Sequence, residues 1–187
     1  MLCLITGASG SGKSEYAENL VCRLAQREGI HQKVYMATME WESGAARERI
    51  GRHRKQRAGK GFVTVESLLG LRSREIRPAA RRTEPAVLLL ECLSSLLANL
   101  MFSEGMDRKA AVEEILFQAK MAEKLYCHTV IVTDEIFSDG IEYGEDVRAY
   151  CQGLGLANRA LAKAADVFCE VVYSIPLYLK GEAVCRF

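Results

Sequence analysis

The sequence predicts an α/β fold of three layers with a mostly parallel central sheet, and three observations carry that prediction. The apolar run Leu2–Ile5 leads straight into Gly7-x-x-x-x-Gly12-Lys13-Ser14, and a helical pattern begins where the glycines end. A second β-patterned run, Lys33–Thr38, follows that helix, and a strand–helix–strand unit implies a parallel sheet. Ala86–Glu91 and Thr129–Thr133 read as central strands, apolar in their middles as strands covered on both faces are. With 187 residues, 49% of them hydrophobic and 26% charged, the chain has the size and composition of a single domain, residues 1–187, with its own core.

Local pattern places each element in turn. Residues 14–27 set Ala17, Leu20, Val21 and Leu24 on one helical face, and Gly29 stops that helix. Residues 42–58 predict a polar surface helix with little apolar stripe, on which Arg49 and His53 share one face and Ile50 and Arg54 another. Gly59-Lys60-Gly61 breaks it, and Phe62–Glu66 alternates as a short strand. Residues 67–77 are weakly helical and 78–85 form a connector of proline and arginine. An apolar helix over 92–103 follows the Ala86–Glu91 strand. Asp107 then caps a helix running to about Tyr126, with Ala111, Ile115, Ala119 and Ala122 inward. A loop over 136–144, a helix over 145–164 and a strand Val167–Tyr173 continue the alternation. From Pro176 the chain is extended, with an edge hairpin expected to turn at Lys180-Gly181.

Composition narrows the function. No run approaches the ~20 apolar residues of a membrane span, and only Met1–Ile5 precedes the glycines, which leaves no signal peptide. Seven cysteines without a C-x-x-C pair are expected to be buried reduced thiols of a cytoplasmic protein, with no structural zinc. The net charge of +1 hides an asymmetry: residues 42–82 carry 12 Lys/Arg against 4 Asp/Glu, and the rest carries 13 against 20. A basic block in an otherwise acidic chain calls for an anionic partner. Phe62 is the single aromatic residue within 42–82, too little for a base-stacking platform, so nucleic acid is not the expected partner.

The glycine motif supplies the chemistry of phosphate binding. Gly7, Gly10 and Gly12 let backbone N–H groups approach phosphate oxygens, with Ala8, Ser9 and Ser11 between them. The helix that follows points its positive end at the same anion. Lys13 is placed to reach β/γ-phosphates, and the Ser14 hydroxyl to hold Mg²⁺. Ligands of open α/β sheets lie beyond the carboxyl ends of the strands, so Glu91 and the Asp134/Glu135 pair share an edge with Gly7–Ser14. Either can orient the metal. His53, inside Arg49-Ile-Gly-Arg-His-Arg-Lys-Gln-Arg57, is the histidine best set to attack phosphorus, since flanking arginines stabilise charge on phosphate oxygens. A solvated histidine on a basic helix is the plainer alternative.

These motifs together resemble the bifunctional adenosylcobinamide kinase/adenosylcobinamide-phosphate guanylyltransferases of cobalamin assembly, over nearly the whole chain. The resemblance rests on Leu4–Ser14, Val34–Thr38, Arg49-Ile-x-x-His53-Arg with Arg57, and Phe62–Glu66. It continues in Val87–Leu93 with Asn99-Leu100, Val130–Thr133 with Glu135, Gly140-Ile141, Ala157-Asn158, Leu161-Ala162 and Ala165-Asp166. It implies a RecA-like P-loop fold, a cytoplasmic homotrimer, and Mg²⁺ with ATP or GTP. The implied activity has two halves: phosphorylation of the aminopropanol hydroxyl of adenosylcobinamide, then GMP transfer from GTP through a covalent GMP–histidine, giving adenosylcobinamide-GDP. His53 matches the guanylylated histidine and Gly7–Ser14 the phosphate loop. Ala37, Thr38, Met39, Arg54, Lys55, Gln56, Arg57, Glu66 and Glu91 match positions that contact nucleotide. Several positions depart from the family pattern: Asp134 stands where Asn is usual, Ile136-Phe137 where Val-Gly is usual, and Tyr143 where Pro is usual. Gln152 and Leu156 replace an acidic and a basic residue. The rival readings are a kinase-only enzyme acting on cobinamide or another small alcohol, and a nucleotide-dependent binding protein.

Overall fold

A computed structural model describes residues 1–39, 51, 57–72, 84–138 and 140–182. Strands β1 (Leu2–Thr6), β2 (Gln32–Ala37), β3 (Phe62–Glu66), β4 (Ala86–Glu91), β5 (His128–Val132), β6 (Val167–Val172) and β7 (Ile175–Lys180) form one sheet in the order β3-β2-β4-β5-β1-β6-β7. All pairings are parallel except β6–β7. The helices are α1 (Lys13–Arg27), α2 (Leu93–Ala98), α3 (Arg108–Leu125) and α4 (Glu145–Ala164).

Strand alternation divides the core into two layers. Cys3, Ile5, Val87, Leu89, Val130 and Val132 pack against Ala17, Leu20, Val21 and Leu24 of α1. Leu2, Leu4, Leu88, Leu90 and Ile131 face the other way, onto Leu93, Leu96 and Leu97 of α2, Ala111 and Ile115 of α3, and Leu154 and Leu161 of α4. β4 and β5 are buried along their whole length, as their composition predicts. The expected cap forms: the Asp107 carboxylate accepts from the Ala110 N–H at 2.9 Å.

Three expectations change, and the sheet order adds a finding of its own. β1 and β2 are parallel but not neighbours, because β4 and β5 lie between them. The helix expected over 92–103 is α-helical only to Ala98; Asn99–Ser103 is a π turn. There the buried Asn99 amide donates to Thr38 O and Leu68 O, both at 2.8 Å, and so ties together the loops that follow β2 and β3. The 67–77 stretch yields a short 3₁₀ turn at Gly70–Arg72, with residues from 73 outside the described part. The terminal hairpin turns at Tyr173-Ser174, not at Lys180-Gly181. Both turn residues have positive φ (50° and 63°), as a type I′ two-residue hairpin requires. The polar helix expected over 42–58 lies outside the described residues apart from Gly51, Arg57 and Ala58. Burial of the thiols holds for Cys3, Cys92 and Cys169, whereas Cys22 and Cys151 are half-buried and Cys127 is exposed.

Candidate active site

The phosphate loop joins β1 to α1. Gly12 caps the helix at φ 90° and supplies no side-chain cap, so the N–H groups that open the helix are suited to an anion. Close approach fixes two of the glycines. A Cβ on Gly7 would lie 2.6 Å from Val171 O, and one on Gly12 would lie 2.5 Å from Ser174 Oγ. The Ser174 N–H also donates to Ser11 O at 2.8 Å, so the β6–β7 turn braces the loop.

The strand ends deliver the charged groups. Ala37 pairs in register with Glu66 on one side and Glu91 on the other, and Glu91 pairs with Val132. Ser14 Oγ donates to Glu91 Oε1. Lys13 is buried, and its ammonium donates to Ala8 O at 3.1 Å and lies 2.9 Å from Asp134 Oδ1. Ser94 Oγ donates to Asp134 Oδ2. The two carboxylates therefore divide: Glu91 serves the hydroxyl and Asp134 the lysine. A serine hydroxyl touching a carboxylate at a phosphate cradle is a set of hard oxygen donors and fits Mg²⁺, which takes few protein ligands and completes its shell with phosphate and water. Among the described residues no three His, Cys, Asp or Glu side chains are grouped to hold a metal by themselves. If Asp134 acts as the counter-ion of Lys13, Asp134→Asn should bind nucleotide triphosphate about tenfold more tightly in a calorimetric titration, ~1.4 kcal/mol. Weaker binding would make Asp134 a metal ligand instead.

A second charged cluster lies behind the loop. Glu18 of α1 has 0% exposure; Lys60 Nζ donates to its Oε2 at 2.8 Å, and Arg57 Nη1 stands 4.0 Å from its Oε1. The Arg57 guanidinium lies 3.4 Å from the centre of the Tyr35 ring. Burial raises the Glu18 carboxyl above its ordinary value, against the opposing pull of Lys60. Glu18→Ala would leave Arg57 as a buried cation without its carboxylate, and the expected cost is about 3–5 kcal/mol in denaturant unfolding. A change under about 1 kcal/mol would mean that the cluster relaxes into solvent.

The remaining candidates fall as follows. Gly7 is buried; Ala8, Ser9 and Gly10 are exposed; Ser11, Gly12 and Ser14 are half-buried. Thr38 is buried and occupied: its N–H donates to Glu91 O at 3.0 Å and its hydroxyl to Cys92 O at 2.7 Å. Met39 is half-buried, and Glu66 is exposed at the end of β3. Arg57 is buried against Glu18 and Tyr35. His53, Arg54, Lys55 and Gln56 lie outside the described residues. Sequence reasoning passed over Glu18, Lys60, Ser94 and Ser174. Only Glu18 had a visible signal: a carboxylate three residues before Val21, inside an apolar helix face.

Comparison with known proteins settles the family. The profile of the cobinamide kinase/cobinamide phosphate guanyltransferase family matches residues 3–179. The chain belongs to this family. Two curated relatives, each named bifunctional adenosylcobalamin biosynthesis protein CobU, align end to end. The one from Escherichia coli is 28% identical over 96% of this chain and 100% of its own length. The one from Salmonella typhimurium is 26% identical over the same shares. Among solved structures, a KaiC-like protein from Pyrococcus horikoshii superposes with a TM-score of 0.51 at 15% identity, covering 90% of this chain and 69% of that one. That likeness is one of fold. The chain carries its phosphate loop on a mostly parallel sheet of a three-layer α/β fold, in which β5 separates the loop strand from the strand that ends in Glu91.

Proposed function

We propose that this chain is a cytoplasmic, Mg²⁺-dependent enzyme of two activities, working as one domain. It phosphorylates the aminopropanol hydroxyl of adenosylcobinamide with ATP or GTP. It then takes GMP from GTP onto His53 and passes it to the new phosphate, giving adenosylcobinamide-GDP. The observation that carries this reading is the pairing of Ser14 with Glu91 beside a buried Lys13, in a chain matched by the family profile from residue 3 to residue 179. Ser14 and Glu91 would hold the metal, which when bound would neutralise charge on the phosphate oxygens. Lys13 exchanges Asp134 for phosphate, and the first N–H groups of α1 take the remaining oxygens. In the second half the His53 imidazole bonds to the α-phosphorus as pyrophosphate leaves, and the substrate phosphate then displaces the histidine.

Family resemblance supports a homotrimer, and the exposed Ile175, Leu177 and Leu179 of edge strand β7 offer apolar surface for such a contact. No described helix is long and apolar enough to cross a membrane. The test is incubation of the purified protein with α-³²P-GTP and Mg²⁺, followed by a denaturing gel. Acid-labile, base-stable label supports a phosphoramidate. Absence of label, with cobinamide-stimulated nucleotide turnover, would leave a kinase alone. Absence of both would remove the enzymatic reading.

A further inference from the structure

On the β5 side of the phosphate loop lies an open groove of about 580 Å³. Its walls include Ala8 of the loop, Glu135 and Ile136 after β5, Tyr143, and Val147 and Tyr150 of α4. The size suits one arm of a large ligand rather than a whole corrinoid, and the lining is mostly apolar with a carboxylate at the loop end.

Glu135 is fixed twice. Its backbone N–H donates to Gly7 O at 3.0 Å, which ties it to the first glycine of the loop. Its Oε1 accepts from the Phe137 N–H at 3.0 Å and from the Ser138 hydroxyl at 2.9 Å. The other oxygen, Oε2, accepts no hydrogen bond among the described residues. The neighbouring carboxylates are already engaged: Glu91 with Ser14, and Asp134 with Lys13 and Ser94. The sheet edge carries Glu66, Glu91, Asp134 and Glu135, and Glu135 is the one of these that lines the groove, with its Oε1 held by two donors.

We propose that this groove receives the alcohol-bearing arm of the phosphoryl acceptor, and that Glu135 is the general base for its hydroxyl; this rests on the kinase half of the function proposed above. In the step, the acceptor oxygen bonds to the γ-phosphorus. The bond from the γ-phosphorus to the bridging oxygen of the β-phosphate breaks, and the nucleoside diphosphate leaves with that electron pair. The hydroxyl proton passes to Glu135 Oε2 and afterwards to water. The Phe137 and Ser138 donors hold Oε1 and so aim Oε2, while the apolar wall of Ile136 and Val147 covers the carbon of the arm.

The experiment measures cobinamide-dependent release of nucleoside diphosphate by the full chain and by Glu135→Gln, with nucleotide affinity measured separately. Glutamine keeps the shape and the acceptor oxygen but cannot take the proton. A loss of kcat of about 10²-fold or more, with acceptor KM and nucleotide affinity each within about threefold, is expected. Unchanged kcat would overturn the assignment of Glu135, and so would a loss explained by weakened nucleotide binding. Val147→Trp, which fills the groove from α4, is expected to raise acceptor KM about tenfold and to leave nucleotide affinity alone; an unchanged acceptor KM would overturn the groove. The full chain is the control for the underlying reading. If it releases no diphosphate in response to cobinamide, the kinase reading fails; if it does and Glu135→Gln matches it, Glu135 alone fails.

Discussion

Replacing Lys13 by alanine should lower cobinamide-dependent phosphoryl transfer by about 10³-fold, in kcat more than in acceptor KM. Lys13 is the only lysine in the Gly7–Ser14 loop, and its ammonium is held at the head of α1 by Ala8 O and Asp134. A cation there gains most from the phosphate when charge builds on the departing β/γ-oxygens, so its loss falls on the transition state rather than on the ground state. The substitution also leaves Asp134 without its lysine, although Ser94 still donates to it. Circular dichroism and a thermal melt therefore accompany the assay, to confirm that the variant is folded. A folded variant with less than a tenfold loss would place the kinase reaction elsewhere on the chain.

His53→Ala should abolish covalent labelling by α-³²P-GTP altogether. This loss is all-or-none, because the adduct needs an imidazole nitrogen and alanine offers no nucleophile. The other histidines are poorly placed to substitute. His31 is exposed beyond α1, and His128 is buried with Nε2 2.7 Å from Glu28, at the opening end of β5. Ligands of such sheets bind at the closing ends of strands. Label that persists in the alanine variant, with the same acid lability, would move the covalent site to a different histidine. The two variants separate the halves of the enzyme: Lys13→Ala is read by diphosphate release, and His53→Ala by the covalent adduct.

The parts of this fold that were legible in the sequence are those written in consecutive residues. The phosphate loop, the apolar run of β4 before Glu91, the Asp107 cap and the full span of α4 each follow from a local pattern. What the sequence did not disclose depends on residues far apart. The insertion of β4 and β5 between β1 and β2 is a choice of neighbours that no single strand encodes. The Tyr173-Ser174 turn contains neither Gly nor Asn, so it gave no turn signal; a bond from Ser174 to Ser11, across the molecule, accompanies its positive φ angles. The division between Glu91 and Asp134 was equally hidden. Both are acids near strand ends, and only the sheet order puts one beside Ser14 and the other beside Lys13. Arg57 reads in sequence as one more basic residue of a nucleotide-contacting block, yet it lies buried on Tyr35 beside Glu18.

The contact between the β6–β7 turn and the phosphate loop also bears on the order in which the molecule becomes competent. A glycine-rich loop left to itself would give up roughly 1–2 kcal/mol of backbone entropy per residue on closing round a phosphate. Here Ser11 is tied to Ser174, and Gly12 lies against the Ser174 side chain, so folding of the hairpin has already spent part of that entropy. The nucleotide motif precedes in the chain the hairpin that stiffens it, so it is translated first. A growing chain therefore displays its most recognisable motif early, in a slack form, and acquires a loop fit for tight phosphate capture only after β7 has paired with β6.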